Sequence, residues 1–263
     1  MLRIGIAGAA GRMGQRLVAL VGAAEDMTLV AAVECESHGS LGRDAGEVAG
    51  VGTLDVPITT GVEARPDVMI DFSAPEATLA CAEHCAGVDT AMVVGTTGLS
   101  PEQVARLEDS AAKVPIVFAP NMSVGVNVLA RLVKDAAHAL GPDYDIEIVE
   151  AHHRFKKDAP SGTALKLARA AAEGVHRDLD QVGVYGRQGQ TGERSQAEIG
   201  VHAVRAGDIV GEHTVLFGAL GERVELRHVA QSRDTFARGA LRAAHFVAGK
   251  QPGLYSMEDV LGI

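Results

Sequence analysis

Cysteine is scarce. Only Cys35, Cys81 and Cys85 occur in 263 residues, a number too small and too odd for a disulfide framework and one that suits a reducing compartment. Cys81 and Cys85 flank His84 in "CAEHC". No second ligand cluster stands nearby, so the pair reads as small helix residues packed partly into a core, and no metal is expected. Long hydrophobic runs are missing too. No stretch approaches the roughly 18 continuous apolar residues of a membrane span. The start, "MLRIGIAGAAG", lacks a charged region followed by an uninterrupted apolar core and does not read as a secretory leader. A cytoplasmic location is expected. Positive charge is in deficit: the formal net charge is −10 and the isoelectric point about 5.4. That argues against nucleic acid or a membrane surface as partner, and leaves room for a local basic pocket. With 47% hydrophobic residues, the chain can build one large core or two modest ones.

What is present is a rhythm. "LRIGIA" (2–7) reads as a buried strand, "QRLVALVGAA" has helical spacing, and "MTLVAAVE" (27–34) reads as a second strand. Strand, glycine turn, helix and strand within about 30 residues is the βαβ unit of a parallel sheet. The apolar strands continue at 67–73, 90–95 and 114–120. Between them, Ser73 with Pro75 and Glu76, and Ser100 with Pro101 and Gln103, carry helix-start signatures. This is the pattern of an α/β, doubly wound parallel sheet. After Asn121 the character changes. A helix at about 124–140 leads to "DIEIVEAHH", a strand of period two. Three β runs between 196 and 229 follow without intervening helices, which predicts a second, α+β domain with a mixed or antiparallel sheet. The boundary falls near 121–125. "VGVYGRQGQTGERSQ" (182–196) reads as a mobile glycine-rich loop. A helix over 234–250 should end at Gly249 as C-cap.

Gly8, Gly11 and Gly14 space the first turn as G-x-x-G-x-x-G. Such a turn lets backbone approach a pyrophosphate at a helix N-terminus. Glu34, twenty residues past Gly14, ends the second strand, where an acid accepts hydrogen bonds from ribose hydroxyls. A tight structural turn beside a surface glutamate is the plainer alternative. "VVGTTGLS" places Gly95, Thr96 and Thr97 at another strand end, where they would line the nicotinamide side.

The acidic chain also holds a concentrated run of donors, "EAHHRFKKDAPSGTALK" (150–166). His152, His153, Arg154, Lys156 and Lys157 crowd together. Ser161 looks like an N-cap, and Gly162 and Thr163 open a helix whose N–H groups favour carboxylate or phosphate. Histidine and lysine also move protons. A site for a small, multiply negative substrate is one reading; structural ion pairs are the other.

These strings, with "GIAGAAGRMG", "VVGTTG", "APNMSVGVN" and "YGRQGQTGER", closely resemble the 4-hydroxy-tetrahydrodipicolinate (dihydrodipicolinate) reductase family, nearly end to end. The resemblance implies a reductase of the diaminopimelate and lysine pathway that takes a cyclic dicarboxylate and NADH or NADPH. It implies a Rossmann domain over 1–123 and 233–263, and a domain over 124–232 that binds substrate and builds a homotetramer through its sheet. It assigns His152 as acid/base residue and Lys156 as proton donor. His153, Gly162 and Thr163, with the helix end at Ser161, become carboxylate ligands. Gly8, Ala9, Ala10, Gly11, Arg12, Met13, Glu34, Gly95, Thr96, Thr97, Ala119, Pro120, Asn121 and Met122 become cofactor contacts. Two positions depart from the family. Phe155 replaces a third histidine and carries no proton. Cys35 replaces the arginine that follows the strand-end glutamate in relatives that hold a 2′-phosphate well. NADH is therefore expected to be preferred, with NADPH still used and Arg12 partly compensating.

Overall fold

The computed structural model describes residues 1–263. In chain order the elements are β1 (Leu2–Ala7), α1 (Arg12–Gly22), β2 (Met27–Val33), α2 (Ala45–Ala49), β3 (Ile58–Thr59), β4 (Val68–Asp71), α3 (Pro75–Val88), β5 (Ala91–Val94), α4 (Pro101–Ala111) and β6 (Pro115–Phe118). Then come α5 (Val124–Leu140), β7 (Asp145–His152), α6 (Gly162–Gly174), α7 (Leu179–Val182), β8 (Gly183–Tyr185), β9 (Ile199–Arg205), β10 (Gly211–Ala219) and β11 (Glu222–Ala230). The chain closes with α8 (Asp234–Val247), β12 (Gly253–Tyr255) and α9 (Met257–Leu261). Two compact units result: Met1–Val124 with Arg233–Gly262, and Gly125–Ser232 with Ile263.

The first unit is a seven-stranded sheet of order β12-β6-β5-β4-β1-β2-β3, parallel throughout. Helices cover both faces, so its central strands must be apolar on both sides. Every residue of "VMID" in β4 and "AMVV" in β5 is accordingly buried. One face packs against α1 and α8 through Leu17, Val18, Ala240 and Ala244. The other packs against α3 and α4 through Leu79, Cys85 and Leu107. This is the Rossmann-like sheet the βα rhythm predicts.

The second unit is a mixed five-stranded sheet of order β11-β10-β7-β9-β8. The pairs β7–β9 and β8–β9 are parallel; β10 runs antiparallel to β7 and β11. Here β7 and β10 alternate buried and half-buried residues, because α5 and α6 cover one face only. Ile146, Ile148, Val215 and Phe217 meet Leu129, Val133, Leu167 and Ala171 in that core.

Three local expectations are corrected. Ser73 does not cap α3: Ala74 is the N-cap, without a side-chain bond. Ser73 lies one residue before that cap, and its hydroxyl donates to the buried Asp71 carboxylate at 2.6 Å, a charge-assisted bond that holds it at the β4 end. Helix α8 ends at Val247 with right-handed Ala248 as C-cap, one residue short of Gly249. Lys250 N–H bonds to the Val247 carbonyl and its ammonium lies 4.3 Å over the Phe246 ring, so no left-handed residue is needed. The 182–196 run is not a free loop. It contains β8, and two arginines pin it: Arg187 pairs with Glu147 at 2.7 Å, and Arg194 pairs with Glu147 and Asp145 at 2.8 Å each.

Candidate active site

In the first unit the strand order reverses between β1 and β4, and open α/β sheets bind ligands outside the carboxyl ends of strands at such a point. The segments singled out in the sequence gather along that edge: Gly8–Met13 follow β1, Glu34 follows β2, Gly95–Thr97 follow β5 and Ala119–Met122 follow β6. The turn after β1 has no room for side chains at Gly8 and Gly14. Gly8 has φ +74°, and a Cβ on it would stand 2.6 Å from the Phe72 carbonyl; one on Gly14 would stand 2.0 Å from the Gly8 carbonyl. Gly11 is the N-cap of α1, with no capping side chain and no acid in the first turn. Ser100 on α4 and Ser161 on α6 are side-chain caps, whereas α3 and α8 start without one but have an acid in the first turn. The opening of α1 thus keeps its positive end for an anion, as a dinucleotide pyrophosphate requires.

Glu34 is drawn onto this turn, accepting the Ala10 N–H at 2.9 Å. Asp71, at the end of β4, is wholly buried. It accepts the Ser73 N–H at 2.8 Å, the Ser73 hydroxyl at 2.6 Å and the Thr96 hydroxyl at 2.9 Å. It thereby ties the β4 and β5 ends together and orients Thr96. Burial pushes its carboxyl up, although these bonds oppose the shift. Gly95 has a packing role of its own, since a Cβ there would meet the Phe72 ring at 2.2 Å. Met122 is fixed by α8, where a Cβ on Gly239 would stand 1.7 Å from the Met122 carbonyl. The strand-end cradle fits a dinucleotide.

In the second unit the donors gather where β7 ends. His152 is its last residue and is buried, as is Ser161 across the intervening loop. The register sets His152 beside Arg205 on β9, and Glu150 beside His213 on β10. Glu150 Oε2 lies 2.6 Å from His152 Nδ1. Arg205 grips both oxygens of Glu150 at 2.8 and 2.9 Å, and the Ser161 N–H donates to Oε1 at 3.0 Å. The Ser161 hydroxyl accepts the Ala164 N–H at 3.1 Å and lies 3.1 Å from His213 Nε2. It is therefore the N-cap of α6, as expected. Gly162 and Thr163 form the first turn beyond it.

Lys156 is half-buried, with its ammonium on Asp158 at 2.8 Å. His153 Nδ1 is buried without a hydrogen-bond partner, a polar atom that a ligand would satisfy. Burial lowers the pKa of His152, although Glu150 pulls it up. Burial also pushes Glu150 up, but Arg205, His152 and the Ser161 N–H outweigh it, and the carboxyl is lowered. His213 is driven down to about 3, chiefly by burial and then by His152, so it stays neutral. The cluster can hold a carboxylate on the α6 start and move a proton at His152 or Lys156.

A family model described as the dihydrodipicolinate reductase N-terminus matches residues 2–122, and one described as its C-terminus matches residues 125–261. The chain belongs to the dihydrodipicolinate reductase family. The 4-hydroxy-tetrahydrodipicolinate reductase of Alkalilimnicola ehrlichii is 53% identical over 99% of each chain. That of Syntrophus aciditrophicus is 51% identical over 100% of this chain and 99% of its own. Among solved structures, the dipicolinate-bound dihydrodipicolinate reductase from Paenisporosarcina sp. TG-14 aligns with a TM-score of 0.77 at 29% identity, covering 97% of each chain.

Against this dihydrodipicolinate reductase framework, sequence reasoning missed four residues: Asp71, Glu150, Arg205 and His213. The signal for Glu150 was present. Its two-residue spacing from His152 in a strand of period two puts both on one face. Arg205 and His213 lie on strands whose register no local pattern reveals.

Proposed function

We propose that this chain reduces 4-hydroxy-tetrahydrodipicolinate to tetrahydrodipicolinate with NADH or NADPH, the reductase step of diaminopimelate and lysine biosynthesis. The observation that carries this reading is the gathering of His152 and Lys156 with the Ser161-capped start of α6 at the end of β7. Relatives matching both units over essentially their full length bear the name of that activity. The dipicolinate in the Paenisporosarcina structure has the same two-carboxylate chemistry as the proposed substrate.

One substrate carboxylate rests on the positive start of α6, held by the Gly162 and Thr163 backbone and the Thr163 hydroxyl, with His153 alongside. Lys156 exchanges Asp158 for the substrate and gives the proton that the reduced product needs, while His152 carries protons between pocket and solvent. Nicotinamide, when bound, supplies the hydride; the substrate hydroxyl leaves as water. The turn Gly8–Met13, Glu34, Gly95–Thr97 and Ala119–Met122 hold the dinucleotide. The first unit is thus the dinucleotide-binding domain and the second the substrate domain.

The second sheet has no helix over its other face, where Val204 and Val229 are 45% and 43% exposed, and we assign that face to a homotetramer. Three free thiols support a cytoplasmic location; no helix is long and apolar enough to cross a membrane. The test is steady-state consumption of reduced nicotinamide on adding freshly prepared 4-hydroxy-tetrahydrodipicolinate, with dipicolinate as competitor. Turnover inhibited competitively by dipicolinate is expected. No turnover with either nicotinamide overturns the proposal.

A further inference from the structure

Beneath His152 lies a buried ionic device that proton transfer to the substrate does not by itself require. Glu150 is fully buried and paired on both oxygens. Its four hydrogen bonds come from three residues: one from His152 on its own strand, two from Arg205 on β9, and one from Ser161 at the start of α6. Arg205 extends the link, donating to the Asp158 carbonyl at 2.6 Å in the loop that carries Lys156. One carboxylate therefore touches the acid/base residue, the start of the anion-binding helix and, through Arg205, the lysine loop.

The geometry also fixes which nitrogen of His152 works. A carboxylate only accepts, so at 2.6 Å Nδ1 must carry the hydrogen. Nε2 is left as the exchanging nitrogen. Its surroundings are kept narrow but open by Gly211 on β10, where a Cβ would stand 3.1 Å from Nε2. The charged and titratable groups facing His152 are Glu150, Lys156 from the loop, Arg205 from β9 and His213 from β10, with His228 on β11 next to His213. Glu150 is the sole anion in that list. Asp158, in the loop that carries Lys156, is engaged by that lysine.

We propose that Glu150, clamped by Arg205, is the positioning residue of this site: it holds His152 in the tautomer that exchanges protons at Nε2, balances its charge when protonated, and locks it to the carboxylate-binding start of α6. This rests on the reading of His152 as acid/base residue, and the test separates the two.

In the full-length protein labelled with ¹⁵N-histidine, Glu150→Gln should lower the His152 titration midpoint by about 1 unit or more, the scale of losing one adjacent opposite charge. The Nδ1–H tautomer should lose its dominance. The kcat should fall by roughly 10²-fold or more, as when an orienting carboxylate is removed from a histidine. The limb of the pH–rate profile that disappears in His152→Gln should move to lower pH. Because Glu150→Gln leaves Arg205 without its anion, the double variant Glu150→Gln/Arg205→Met removes both charges; it should fold and show the same tautomer loss. If His152 titrates and keeps its tautomer in both variants as in the parent, the proposal is overturned, whatever the rates. If His152→Gln keeps full kcat, the acid/base reading fails, and the NMR arm still decides whether Glu150 positions the ring.

Discussion

Lys156 meets its proposed task with a competitor attached, for Asp158 holds its ammonium at 2.8 Å. Asp158 is mostly exposed, and such a pair is worth about 0–1 kcal/mol, so a substrate carboxylate in a drier pocket displaces it easily. Lys156→Ala should therefore lower kcat by ~10²-fold or more, the scale of general acid catalysis, while nicotinamide binding measured by fluorescence stays as in the parent. Near-parental kcat would remove Lys156 from the mechanism. At the cofactor end, Glu34 is anchored on Ala10 N–H, which sets its charge beside the glycine turn. A 2′-phosphate brought there meets a like charge at a cost of roughly 1 kcal/mol or more, and Cys35 offers no cation against it. The ratio of kcat/KM values should favour NADH, and Cys35→Arg should shift it toward NADPH by supplying a fork of donors. A tenfold parental preference for NADPH would mean that another cation holds the phosphate. At this scale the sequence was partly legible. The glycines, His152, Lys156 and the Ser161 cap stand in local motifs. Asp71 does not, because a carboxylate at the end of an apolar strand reads the same in sequence whether it faces solvent or collects buried donors; Glu150 shows itself only through its period-two spacing from His152.

Among elements, the β7–β9 pair carries the least foreseen feature. Glu147 sits in a nest of Arg187, Arg194 and His202, each within 2.7–2.8 Å. Burial pushes its pKa up, but these partners, Arg187 first, bring it down to about 2 from an ordinary 4.5. A lowered carboxyl contributes stability that is fully present above about pH 4.5 and is lost as pH falls toward 2. The shift is worth at most about 3 kcal/mol, less for the fifth of the side chain that is exposed. Glu147→Gln should therefore lower Tm at pH 7 and flatten its acid dependence between those limits; an unchanged acid limb would deny Glu147 that role. The run 182–196 looked mobile because its glycines are local and visible. Its anchors lie 40 and 49 residues away, Glu147 for Arg187 and Asp145 for Arg194, and long-range ion pairs leave no local pattern. The α/β rhythm was readable for the opposite reason: strands buried on both faces must be almost wholly apolar, as β5 and, save for Asp71, β4 are, and that leaves a continuous signature. Short pieces such as β3, β8 and β12 went unseen, since two or three residues hold no period.

For the whole molecule, the uncovered face of the second sheet and the two sites together define the enzyme. Val204 and Val229 stand exposed there among charged neighbours, including the Arg227–Glu212 pair. Val204→Asp should put an unpaired charge into the proposed subunit contact and shift sedimentation from tetramer to smaller species. A parent that sediments as a monomer would contradict the assignment. The most direct measurement concerns the reaction itself. Reduced nicotinamide deuterated at its transferring carbon is incubated with the protein and freshly prepared 4-hydroxy-tetrahydrodipicolinate, and the product is weighed by mass spectrometry. The expected product is tetrahydrodipicolinate carrying one non-exchangeable deuterium, formed in step with oxidised nicotinamide and with loss of water. Product without deuterium, or no product while both nicotinamides remain reduced, would contradict it.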